Sequence, residues 1–185
     1  EGVPPFYEPG LQEALQKVVN SKHLRCVLNR EEAVLNADVT FIAVGTPSRT
    51  DGSIDLQFIE DASREIGKAL SKKDAYHLVV MKSTVIPGTT ENVVRPTVEK
   101  CSSKQCGIDF GLCMNPEFLR EGSALYDSFH PDRIVIGEFD RKSGDGLASL
   151  FKEFYGKNVP PIIRANLPTA EMIKYANNAF LAAKV

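Results

Sequence analysis

Short β-branched apolar runs recur along this chain, each followed by a turn-rich loop and then by residues in helical register, and that alternation narrows the possible folds more than any other feature. The first clear unit is the run Val39-Thr40-Phe41-Ile42-Ala43-Val44, which reads as a buried strand. The loop Gly45-Thr46-Pro47-Ser48-Arg49-Thr50-Asp51-Gly52 follows it, and then Leu56, Ile59, Ile66 and Leu70 at helical spacing. The order repeats with Leu78 to Met81 as a strand, Ser83 to Gly88 as a loop, and Thr89 to Lys100 as a helix that Pro96 must kink or break. Phe110 to Met114 and Arg133 to Gly137 supply two more short strands, and Gly144 to Tyr155 another helix. Upstream, Tyr7-Glu8-Pro9-Gly10 is a turn leading into a helix on Leu11, Leu15 and Val18, and Asn29 caps a second helix with Glu32 three residues on. The final segment, Thr169 to Val185, carries Met172, Ile173, Ala176, Ala179, Phe180 and Ala183 on a broad face, which predicts a largely buried helix.

This pattern predicts the doubly wound α/β class, a parallel sheet with helices on both faces. Ligands of such sheets sit outside the carboxyl ends of the strands, which directs attention to the loops beginning at Gly45, Ser83 and Asn115.

Composition removes several alternatives. With 185 residues, 43% of them hydrophobic and 25% charged, the chain has globular composition, and its apolar runs fall far short of a membrane span. A net charge of −2 gives no basic field for nucleic acid. Cys26, Cys101, Cys106 and Cys113 lack the paired short spacings of a zinc site and read as reduced thiols. His23, His77 and His130 have no partner at metal-ligand spacing, so no metal is expected. No basic region followed by an apolar stretch opens the chain, and the expected location is the cytoplasm.

Four loci carry candidate chemistry, each with a plainer reading beside it. Gly45-Thr46-Pro47 follows a strand, where glycine lets a ligand approach the backbone and a threonine hydroxyl can bond a ribose or phosphate oxygen; such a tripeptide is also ordinary turn material. Ser83 and Thr84 hold the same position after the next strand, where they either face a cofactor and a water or cap the following helix. Glu117 and Glu121 stand four apart with Arg120 between them, suited to acid–base work or to a salt-bridged surface turn. Lys174 and Asn178, also four apart, can stabilise a developing oxyanion from one helix face or simply be solvated.

Taken in order, YEPGL (Tyr7 to Leu11), FIAVGTPS (Phe41 to Ser48), STVIPGTT (Ser83 to Thr90), NPEFLREGSA (Asn115 to Ala124), PDRIVIG (Pro131 to Gly137) and AEMIKYANNAFLAAKV (Ala170 to Val185) closely resemble the UDP-glucose/GDP-mannose dehydrogenase family. The resemblance implies an NAD-dependent oxidoreductase with a Rossmann-like domain that takes the primary alcohol of a nucleotide sugar to the carboxylate through an aldehyde and a cysteine thioester. It implies a partial NAD-binding domain over residues 1–167 and the start of a connecting, dimer-forming helix over 168–185. By the same resemblance Gly45, Thr46 and Pro47 lie beside the NAD pyrophosphate and ribose, and Ser83, Thr84 and Glu121 near the nicotinamide. Glu117 is the expected acid–base residue, with Thr84 helping to hold a catalytic water. Phe118, Leu119, Arg120 and Glu121 line the nucleotide-sugar pocket, and Lys174 and Asn178 surround the reacting sugar oxygen.

The segment Asp132 to Gly137 is more similar to the UDP-glucose branch, which makes UDP-glucose the expected substrate; a GDP-mannose or UDP-N-acetyl-sugar dehydrogenase is the alternative. The family's glycine-rich fingerprint and its nucleophilic cysteine have no counterpart here, so a non-catalytic nucleotide-binding piece is a further alternative. The expectation is a piece of a longer, homodimeric enzyme, inactive by itself.

Overall fold

The computed structural model describes residues 2–184. In chain order its elements are α1 (Leu11–Asn20), α2 (Arg30–Leu35), β1 (Val39–Ile42), α3 (Gln57–Leu70), β2 (His77–Met81), a π-helical stretch (Thr90–Val94), α4 (Arg95–Ser102), β3 (Phe110–Met114), α5 (Ala124–Phe129), β4 (Ile134–Glu138), α6 (Arg141–Tyr155), a 3-10 turn (Gly156–Asn158), β5 (Ile162–Asn166) and α7 (Leu167–Lys184). They form two compact units, one of residues up to 28 with 118–132 and the other of 29–117 with residues from 133 onward.

The larger unit is built on one sheet of order β1-β2-β3-β4-β5. β1, β2 and β3 are parallel, as are β4 and β5; the β3–β4 junction is antiparallel, so the expected α/β sheet is mostly rather than wholly parallel. Every residue of β2 and β3 is buried, the signature of central strands covered on both faces. On one face Leu78, Val80, Cys113, Ile134 and Ile136 pack against Leu147 and Ala148 of α6. On the other, α7 comes so close to β4 that a Cβ on Gly137 would stand 2.6 Å from Ala170 Cβ and 3.1 Å from the Asn166 carbonyl.

Local sequence accounts for most boundaries. Asn29 caps α2 as expected, its side chain accepting from Glu32 N at 3.1 Å. Pro96 does not sit inside a regular helix. The turn before it is π-helical, with Arg95 N–H donating to Thr90 O, and Pro96 falls in the first turn of α4, where a missing N–H costs nothing. The terminal helix departs from expectation. Its buried residues are Leu167, Ala170, Glu171 and Lys174, whereas Met172, Phe180 and Leu181 are more than half exposed. Only its first two turns pack on the sheet, and Val185 lies outside the described residues.

The smaller unit contains α1 and α5, neither with a fully buried residue. Among the described residues the four cysteines are free thiols, and no helix is long and apolar enough to cross a membrane.

Candidate functional site

The register of the parallel strands levels three loops. Ile42 pairs with Met81 and Met81 with Met114, so the chain leaves β1, β2 and β3 at the same height. Asn115 N–H continues the ladder by donating to Met81 O at 2.8 Å. The first two loops are tied together: the N–H groups of Lys82 and Ser83 both donate to Ile42 O, and the Ser83 hydroxyl donates to Val44 O at 2.6 Å. Ser83 therefore holds the carbonyl immediately before Gly45. Gly45 is exposed, and a Cβ there would meet nothing within 4 Å, so a ligand can reach its backbone. Thr46 and Thr84 are half-buried and Pro47 exposed. Asp55 N–H donates to Pro47 O at 2.8 Å and closes the loop. Exposed backbone and hydroxyls at a strand's carboxyl end fit one flank of a dinucleotide.

Beside these loops Lys174 Nζ lies 2.8 Å from Glu117 Oε1. The lysine side chain is 7% exposed and the glutamate 31%, so the pair is desolvated at the helix and open to water at the carboxylate. A lysine this buried needs a partner, and Glu117 supplies one. Asn178, one turn further along α7, is exposed.

A second cation stands nearby that the residue spacing did not single out. Lys82 Nζ donates to Asn115 Oδ1 at 2.7 Å, and Asn115 Nδ2 donates to Val135 O at 2.8 Å, bridging to β4 just past the two-residue β3–β4 ladder. Burial pulls the Lys82 ammonium down to about 8, with Glu117 opposing that fall and Lys174 adding to it. Glu117 thus sits in the field of two lysines. The available signal was a lysine directly after the apolar run Leu78 to Met81.

Glu171 is the other omission, a glutamate with no exposed surface. It accepts from Gly88 N–H at 2.5 Å, Thr90 N–H at 2.8 Å and Thr90 Oγ1 at 2.6 Å. Burial raises its carboxyl and these donors oppose the rise. It fastens α7, one turn before Lys174, to the end of the loop that carries Ser83 and Thr84. A charged residue within an apolar helix was the clue.

In the smaller unit Phe118 is half-buried, and Leu119, Arg120 and Glu121 are exposed. Arg120 is engaged by α5: its backbone N–H and Nε donate to Asp127 Oδ2, and Nη2 to Oδ1 at 2.7 Å. The acid that Arg120 meets is therefore Asp127. Among the described residues no group of three or more histidine, cysteine or acidic side chains could hold a metal ion.

A mostly parallel α/β sheet with level strand-end loops and an approachable glycine at their carboxyl ends has the architecture of a dinucleotide-binding domain. Comparison with known proteins makes this specific. The profile described as the UDP-glucose/GDP-mannose dehydrogenase family, NAD binding domain, matches residues 1–155, and the chain belongs to that family, whose cofactor is NAD. It is 48% identical over 184 residues to the GDP-mannose 6-dehydrogenase of Pseudomonas savastanoi pv. phaseolicola, covering 100% of this chain and 41% of that protein. Its fold is similar to that of GDP-mannose dehydrogenase from Pseudomonas aeruginosa, solved as a ternary complex, with TM-score 0.93 and 48% identity over 99% of this chain and 41% of that one. UDP-glucose dehydrogenase from Pyrobaculum islandicum gives TM-score 0.90 and 47% identity over 100% of this chain and 41% of that one. The chain spans about two fifths of the length of these relatives.

Proposed function

We propose that the protein carrying this chain oxidises the primary alcohol of a nucleotide sugar to the carboxylate, using NAD as hydride acceptor. The observation that supports this most directly is the Lys174–Glu117 pair at 2.8 Å, set beside the level strand ends. Loss of hydride from an alcohol carbon requires loss of the hydroxyl proton as well. The partly exposed Glu117 carboxylate takes that proton, directly or through a water held by Thr84, while the Lys174 ammonium, with Asn178 beyond it, favours negative charge on the sugar oxygen. Bound NAD supplies the chemistry of hydride acceptance. Gly45, Thr46 and Pro47 serve its pyrophosphate and ribose, Ser83 its nicotinamide side, and Phe118, Leu119, Arg120 and Glu121 serve the nucleotide sugar.

Alcohol to carboxylate is a four-electron change, so two NAD are reduced per sugar. UDP-glucose is the first substrate reading, carried by the Asp132 to Gly137 segment. GDP-mannose is the second, favoured by the 48% identity to GDP-mannose 6-dehydrogenases. The exposed Met172, Phe180 and Leu181 on α7 suit burial against a second copy of the chain, and four free thiols suit the reducing cytoplasm. The test is NADH formation by the full-length protein with UDP-glucose, GDP-mannose and UDP-N-acetylmannosamine offered separately. Turnover of one of them names the substrate, and turnover of none leaves only a nucleotide-binding role.

A further inference from the structure

The Tyr7-Glu8-Pro9-Gly10 turn has no part in the chemistry above, yet Glu8 is only 8% exposed in a unit whose helices bury little. Its two carboxylate oxygens are divided between two backbone donors of one segment: Ala124 N–H donates to Oε1 at 2.7 Å and Gly122 N–H to Oε2 at 3.0 Å. Bonds to an ionised acceptor are the stronger kind, and here one side chain makes two of them. The turn itself is fixed on α1, because Leu11 N–H donates to Glu8 O at 3.1 Å. It also packs closely on α5: Gly10 has φ +78°, and a Cβ there would lie 3.2 Å from Leu125 Cδ2. Gly122, with φ +77°, takes a left-handed conformation that brings its N–H and that of Ala124 toward the same carboxylate.

Upstream in the same segment, Arg120 is held by Asp127 through its backbone N–H and its guanidinium. The run from Phe118 to Glu121 is therefore fastened at Arg120 and immediately after Glu121. Leu119, Arg120 and Glu121 are exposed, and an exposed loop without such anchors would lose backbone entropy on being ordered by a ligand. A loop ordered beforehand spares the ligand that cost.

We infer that Glu8 is a positioning residue for the nucleotide sugar, acting through the Gly122 and Ala124 amides to hold the Phe118–Glu121 loop in its binding shape. The inference rests on the assignment of that loop to the sugar nucleotide. It concerns affinity and not the chemical step, because Glu8 acts on the loop backbone and takes no part in proton or hydride transfer.

The test uses full-length protein with Glu8→Gln and Glu8→Ala, read by steady-state kinetics and by amide hydrogen exchange over residues 118–124. Glu8→Gln keeps one acceptor oxygen and the shape of the side chain, so it separates loss of the clamp from failure to fold. Expected are faster exchange at Gly122 and Ala124 and a KM for the nucleotide sugar raised at least fivefold, more in Glu8→Ala than in Glu8→Gln. KM for NAD and kcat should stay within twofold. Faster exchange with an unchanged sugar KM overturns the inference, as does a parallel change in kcat and both KM values accompanied by a lower Tm. If the unaltered protein reduces no NAD with any nucleotide sugar, the functional reading itself fails and this inference falls with it.

Discussion

Lys174 Nζ and Glu117 Oε1 lie 2.8 Å apart, joining the first turns of α7 to the loop that leaves β3. If the two act as one unit on the same oxygen, their removal is not additive. Glu117→Gln should lower kcat by about 10²-fold or more and Lys174→Ala by a similar factor, with the double variant no worse than tenfold below the weaker single. Steady-state kinetics of the three variants measures this. Fully multiplicative losses would show independent roles.

Lys82 should titrate near pH 8, far below an ordinary lysine, because burial disfavours its ammonium. Glu117 supports the charged form and Lys174 opposes it. The midpoint should therefore fall further in Glu117→Gln and rise in Lys174→Met. NMR titration of isotope-labelled lysine side chains reads all three values. A midpoint above 10 in the unaltered protein would contradict the burial argument.

Glu171 holds Gly88 and Thr90 from inside the fold, and its loss leaves buried N–H donors without a partner. Glu171→Ala should cost roughly 3 kcal/mol in denaturant unfolding, and Glu171→Gln about half of that, since one oxygen remains to accept. A Glu171→Gln variant that cost nothing while Glu171→Ala cost the full amount would mean that volume rather than hydrogen bonding is what Glu171 contributes.

His77 is fully buried between Thr40 and Lys73. The lysine ammonium can only donate, so Nδ1 accepts from it at 3.2 Å and Nε2 donates to Thr40 Oγ1 at 2.8 Å, which is the neutral imidazole. Burial first, and Lys73 second, bring its pKa down from 6.5 to about 4. The unfolded chain therefore binds the proton more readily, and stability should fall as pH drops from about 6.5 to 4, by about 2 kcal/mol after allowance for solvent screening. Urea unfolding at pH 7 and pH 4.5 measures the slope, which His77→Asn should flatten. An unchanged slope in that variant would assign the pH dependence to other groups.

Much of the sheet was legible in the sequence because β-branched runs such as Val39 to Val44 and Leu78 to Met81 are bounded by glycine, proline and hydroxyl residues. β5 was not, since Ile162-Ile163-Arg164-Ala165-Asn166 alternates weakly and its position at the sheet edge leaves Ile163 exposed. Helix α5 is six residues long, too short for its periodicity to register. The apolar stripe of α7 suggested burial along its length, yet Phe180 is 62% exposed because the helix runs beyond the sheet it packs on. Spacing along a helix could put Lys174 and Asn178 on one face. It could not show that Lys174 meets Glu117, fifty-seven residues earlier, or that Lys82 and Asn115 bond across two strand ends. Those are tertiary pairings, and local pattern carries no information about them.

The role proposed for this domain is in a four-electron oxidation of a sugar alcohol. The most direct measurement is the number of NADH formed per nucleotide sugar consumed by the full-length protein, in the unaltered form and in Glu117→Gln. Expected are two NADH per sugar, with a uronic acid as product, and a kcat in the variant lower by about 10²-fold or more. One NADH per sugar with an aldehyde released, or full turnover by Glu117→Gln, would contradict that role.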